Sequence, residues 1–180
     1  MSYVVQVGGK IGYIRHSQIY IYTLSLSVLD VKQNSVALEE YCTQKGKRKD
    51  PWKGRCDLFL AIGGEYFACE SKQVWCAVSS KAKSGHSAPK AGLDAACAAA
   101  RQLDRDEGRR LGISFAVPRV PKSDEEKLEL PLTKWLKGLS NIDYSSIVWI
   151  FPEKDRRLMS EKQYLYPGVV LMAREVFRQK

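Results

Sequence analysis

The chain reads as an α/β domain with a mixed central sheet flanked by helices, and three stretches carry that reading. Two apolar runs on either side of Gly63 and Gly64 have the pattern of two strands joined by a tight turn. An alanine-rich stretch from Pro89 to about Arg105 is helical in composition, and residues 111–117 form an apolar run of buried-strand type. With a helical pattern upstream, over 27–43, the core order becomes α-β-β-β-α-β. The 180 residues, 44% hydrophobic and 27% charged, suit a single globular domain, 1–180, with a sizeable core. Within it, 27–120 is the expected core, 1–26 an N-terminal β extension and 121–180 a C-terminal α/β extension.

In chain order, residues 3–7, 10–14 and 18–26 alternate as strands do. Gly8-Gly9-Lys10 lacks the remaining glycines and the Ser/Thr of a phosphate-binding loop, so a hairpin turn is the reading there. Val28, Val31, Val36, Leu38 and Tyr41 make a broken helical stripe, with Glu39 and Glu40 on the same segment. Residues 45–55 hold six basic side chains, two glycines, Pro51 and Trp52, and read as a charged loop. A strand continues or restarts over 74–78, and 79–90 is a polar loop. The helix after it has Ser87 near its start, Pro89 in its first turn and Gly108 beyond its end. The strand at 111–117 is closed by Pro118. Beyond it, 123–138 looks helical, 146–151 is a strand, and 169–172 is a last apolar piece. No function attaches to 121–180, which is open to extending the sheet, forming a homodimer surface or docking a partner.

The hairpin carries the chemistry. With Gly63 and Gly64 as the loop, Ile62 faces Glu65, Leu60 faces Phe67, Leu58 faces Cys69 and Asp57 faces Glu70. One face is then apolar, while Asp57, Phe59, Ala61, Tyr66, Ala68, Glu70 and Lys72 share the other. Directly opposed residues have Cβ atoms roughly 4.5–5.5 Å apart, where two carboxylates repel. A divalent cation between them removes the repulsion, and oxygen-only ligation suits Mg²⁺. Lys72, one step along the same face, stands where a metal-bound water or a phosphate oxygen has to be held.

Asp57, twelve intervening residues and then Glu70-Ser71-Lys72 resemble the signature of the PD-(D/E)xK nuclease superfamily, whose fold is restriction-endonuclease-like. The spacing is similar to that of archaeal Holliday-junction resolvases. Cys56 stands where the pattern has proline. The resemblance covers roughly 30–120 and implies a Mg²⁺-dependent DNA endonuclease, with Mn²⁺ as a substitute ion. It implies Asp57, Glu70 and Lys72 as catalytic residues, and Asp57, Glu70 and the Ser71 carbonyl as metal ligands. A first-helix glutamate would complete the site; either Glu39 or Glu40 matches, with Glu40 chosen. A second Glu-x-Lys, Glu125 to Lys127, has no strand leading into it and serves as an internal control.

The formal charge of +9 suits a polyanionic partner such as DNA. Lys45, Lys47, Arg48, Lys49, Trp52, Lys53 and Arg55, with Lys81 and Lys83 in the later loop, are the expected nucleic-acid contacts. His86 is left out as a loop bystander. Five cysteines without a CxxC pair, and only His16 and His86 to help them, argue against zinc and for reduced thiols in a cytoplasmic protein. No secretory leader or membrane-spanning run is evident, so no membrane partner is expected. Two other readings use the same residues: a catalytically inactive nucleic-acid-binding protein of the same fold, and a basic protein-interaction module.

Overall fold

The computed structural model describes residues 36–47, 50–62, 64–80, 85–103, 108–152 and 163–177. They form a mixed sheet of seven strands: β1 (Val36–Lys47), β2 (Asp50–Ile62), β3 (Glu65–Ala77), β4 (Arg109–Pro121), β5 (Ser146–Ile150), β6 (Tyr164–Leu165) and β7 (Val169–Glu175). The order across the sheet is β1-β2-β3-β4-β7-β5, with β6 pairing β4 beside that path. β1, β2 and β3 are an antiparallel meander. Helix α1 (Ser87–Ala100) then makes the crossover that β4 needs to lie parallel to β3. A 3₁₀ segment (Lys122–Lys127) leads into α2 (Glu129–Leu139), and β7 and β5 extend the sheet antiparallel beyond β4. Within 121–180, β5, β6 and β7 therefore extend the sheet.

Both sheet faces are apolar. Ala68, Cys76, Ala116, Val170 and Met172 join Leu93, Cys97 and Ala100 of α1 and Leu132, Trp135 and Leu139 of α2 in one core. Leu58, Leu60, Cys69, Ile113 and Phe115 form a second cluster with the alternate residues of the same strands. Trp135 is fully buried, and truncating a side chain of that size costs about 3–5 kcal/mol. α1 owes its place to small residues. A Cβ at Gly112 of β4 would come within 2.5 Å of the Cys97 backbone nitrogen, so only glycine lets helix and strand approach this closely.

The sequence reading needs four corrections. The helical pattern fails from Val36 onward: this segment is β1, pairing β2 from Val36↔Ala61 to Lys47↔Asp50. The core order from Val36 is thus β-β-β-α-β, without a leading helix in the described residues. Residues 45–47 and 50–55 are not loop but strand, the far ends of β1 and β2. Pro51 is tolerated there because it faces Gly46, whose N–H points out of the ladder to the Gln102 carbonyl at 2.8 Å. Where one N–H of an antiparallel pair points out, its partner's does too, so the proline deprives the ladder of nothing. β4 likewise runs through Pro118. The Arg110 carbonyl accepts from Val176, so even-numbered residues of β4 direct their polar groups to the β7 side. Among the described residues that side has no strand partner at 118, between the β7 pairing that ends at Ala116 and the β6 pairing that starts at Val120. Finally, α1 ends at Ala100 rather than Arg105. The expected strands over 3–26, the start of the 27–43 segment, Arg48, Lys49, Lys81 and Lys83 lie outside the described residues.

Candidate active site

The β2–β3 pairing has the register that a two-residue turn dictates. Ile62 faces Glu65, Leu60 faces Phe67 and Leu58 faces Cys69, and Gly64 takes the positive φ of +84° such a turn demands. Asp57 and Glu70 are the next step outward, just past the last pair. There the β2–β3 ladder stops, while β3 runs on beside β4, its parallel neighbour on the other edge, with Glu70 level with Gly112 and Lys72 with Ser114.

Asp57 does not project at Glu70. Its Oδ2 accepts the Ser71 backbone N–H at 2.7 Å and the Ser71 hydroxyl at 3.0 Å, which ties β2 to β3 where their ladder stops. Ser71, expected to offer its carbonyl, thus serves the site first as a double donor. Glu70 is 4% exposed and takes the ammonium of Lys45 on Oε1 at 2.6 Å. Burial pushes the Glu70 carboxyl above its ordinary range; the Lys45 bond opposes this, and the Asp57 charge adds to it. That Asp57 and Lys72 both act on Glu70 electrostatically puts the three signature residues in one field. Lys72 is exposed and makes no hydrogen bond or ion pair among the described residues.

Lys45 reaches Glu70 because the hairpin end is pinned over the exit of α1, by the Gly46–Gln102 bond and a bridge between Lys45 and Leu103. Its ammonium, expected at a nucleic-acid phosphate, rests on Glu70 in this structure. No spacing signal relates it to Glu70, since the contact depends on a strand whose residues suggest a helix. Glu40 stands beside Asp57 across the β1–β2 pairing, between Glu39↔Leu58 and Tyr41↔Cys56. It adopts φ +46° and its carboxylate pairs with Arg55 at 2.6 Å, both side chains about two-thirds exposed. Glu40 therefore lies on a strand and faces a cation of its own, and Arg55, an expected nucleic-acid contact, is engaged with it. Trp52 is 55% exposed and Lys53 is exposed, both on the outer part of β2. His86 points Nε2 at the Trp135 carbonyl, 3.0 Å away, a contact between α1 and α2.

Among the described residues no three His, Cys, Asp or Glu side chains are grouped to hold a metal ion. An ion at this hairpin would rest on Asp57 and Glu70 with main-chain and water oxygens, the sparse ligation usual for Mg²⁺. The donor chemistry fits: the ligands are hard oxygens, and a cationic group of the protein itself already stands against Glu70. The second Glu-x-Lys lies in the 3₁₀ segment, with Lys127 exposed. Its buried neighbour Asp124 accepts from the Ser79 and Ser80 hydroxyls and the Ser80 N–H, a turn anchor. All five cysteines are free thiols, four of them buried, and no helix among the described residues is long and apolar enough to cross a membrane.

No protein-family model, no curated protein and no solved structure matches the chain.

Proposed function

We propose that the chain is a Mg²⁺-dependent DNA endonuclease of the PD-(D/E)xK kind, with a restriction-endonuclease-like arrangement of β2, β3, α1 and β4. The observation that carries this reading is that Asp57 of β2 is hydrogen-bonded to Ser71 of β3, which stands between buried Glu70 and exposed Lys72. A surface salt network has no reason to bury one carboxylate at a charge-rich hairpin end. A cation-binding site does.

Asp57, Glu70 and the Ser71 carbonyl would hold the ion, which supplies Lewis acidity to a phosphoryl oxygen and lowers the pKa of a bound water. Ser71 fixes the Asp57 carboxylate through two hydrogen bonds, so one ligand is oriented before any ion arrives. Lys72 is placed to hold the attacking water or a phosphate oxygen and to balance charge at phosphorus. Trp52 and Lys53 offer a stacking face and a phosphate contact on the same hairpin. Incubation of the purified chain with Mg²⁺ or Mn²⁺ and plasmid, linear, single-stranded or branched DNA tests the reading. Cleavage that vanishes in Lys72→Ala supports it, and an unchanged rate in that variant sinks it.

A second reading draws on the Lys45–Glu70 pair: with the carboxylate neutralised by a lysine, the protein binds nucleic acid without cutting it. Salt-dependent DNA binding with no cleavage at any divalent-ion concentration selects that reading.

A further inference from the structure

The contact between Lys45 and Glu70 joins two parts that the nuclease reading otherwise uses separately, the basic hairpin and the ion-binding carboxylate. The two side chains meet at 2.6 Å with 12% and 5% of their surfaces exposed. The Lys45 stem crosses Gly54 alongside the Trp52 ring, since a Cβ at Gly54 would touch Lys45 Cδ at 2.7 Å and Trp52 Cζ3 at 2.9 Å. Trp52 is itself exposed. The stem therefore runs beside a ring that opens to solvent, and its head ends at the buried carboxylate. A lysine has four rotatable carbons and a compact ammonium that can be redirected without moving the strand. An ammonium and a divalent cation against one buried carboxylate compete, because their mutual repulsion is least screened there.

We propose that Lys45 is an exchangeable counter-ion of the site. It neutralises Glu70 while no divalent ion is bound; when one binds, the ammonium swings out along Trp52 and contacts a DNA phosphate. The inference rests on Asp57 and Glu70 being the ion ligands. Because linkage is reciprocal, DNA then tightens ion binding by the factor by which the ion tightens DNA binding. Substrate thereby helps to load its own cofactor site.

The test uses the intact wild-type chain. Lys45 acylation by an amine-reactive acetate ester, followed by mass spectrometry, is measured during a Mn²⁺ titration, with exposed Lys127 as internal reference. Reactivity of Lys45 rises about tenfold on Mn²⁺ binding, within the range usual for coupled sites, and falls again when a short DNA duplex is added. In parallel, Mn²⁺ affinity is measured by electron paramagnetic resonance. Lys45→Met binds the ion about tenfold more tightly than wild type without DNA, and DNA no longer improves it. If wild type binds Mn²⁺ while Lys45 reactivity stays flat, the exchange is wrong and the ion site stands. Equal Mn²⁺ affinity in wild type and a folded Lys45→Met has the same meaning. If neither protein binds Mn²⁺, the ion site and the exchange fall together.

Discussion

Two carboxylate–cation pairs lie on the same sheet at the same distance, and they behave in opposite ways. Lys45–Glu70 joins β1 to β3, and Arg109–Glu175 joins β4 to β7, each with its closest contact at 2.6 Å. Arg109 grips Glu175 through two nitrogens at the sheet surface, and this holds the Glu175 carboxyl below its usual range. Glu70 has a cation equally near, yet its carboxyl is raised, because burial outweighs the lysine. Distance does not set the outcome; access to water does. The surface pair is a clasp at a strand end. The buried pair is a charge kept ready where desolvation makes it costly, and such sites are where function concentrates.

The contrast can be broken at its strong end first. Glu70→Ala removes the buried partner of the Lys45 ammonium, which turns out along Trp52, and lowers stability by up to about 3 kcal/mol in urea unfolding. Replacing both partners, as Lys45→Met with Glu70→Leu, recovers most of that loss and leaves no cleavage. Asp57→Ala comes next. It removes the acceptor of two Ser71 bonds and costs about 1.5–3 kcal/mol by the same measurement, with metal-dependent cleavage abolished. Lys72→Ala leaves stability within about 0.5 kcal/mol but lowers the cleavage rate by about 10²–10³-fold in a plasmid assay. Glu175→Gln costs less than about 1 kcal/mol at neutral pH.

The two pairs also separate by pH. The depressed Glu175 carboxyl contributes stability above the ordinary carboxylate range and loses it as pH falls through its folded pKa. Thermal melts of Glu175→Gln and wild type should therefore converge on acidification. For Glu70 the sign reverses: its raised carboxyl favours the protonated fold, so its contribution is full below the ordinary range and lost as pH rises through the folded pKa. Wild type should lose ground to Glu70→Gln on going upward in pH.

What could be read from the sequence is local. The β2–β3 register follows from Gly63 and Gly64 alone, and α1 from its alanines and Pro89, because both signals lie within a few residues of the structure they specify. β1 escaped because Val36 and Leu38 also fit a helical stripe and because Gly46, Pro51 and the basic side chains give its far end the composition of a loop. Pro118 suggested a strand end since its harmlessness depends on which neighbours flank it, a property of the sheet. The Lys45–Glu70 contact was the least legible part of the site. As one lysine among six basic residues Lys45 belonged with the phosphate contacts, and only the path of β1 over the end of α1 turns it inward.

Cys42 gives the hairpin a built-in attachment point. It is the exposed thiol of the five and stands on β1, three residues before Lys45, so about 10 Å along the strand. The other four thiols are buried, and burial drives Cys69, Cys76 and Cys97 still further from the reactive thiolate form. A maleimide dye would therefore mark the natural sequence at one place, on the strand that carries Lys45. Its fluorescence could follow ion and DNA arrival in real time without a single substitution.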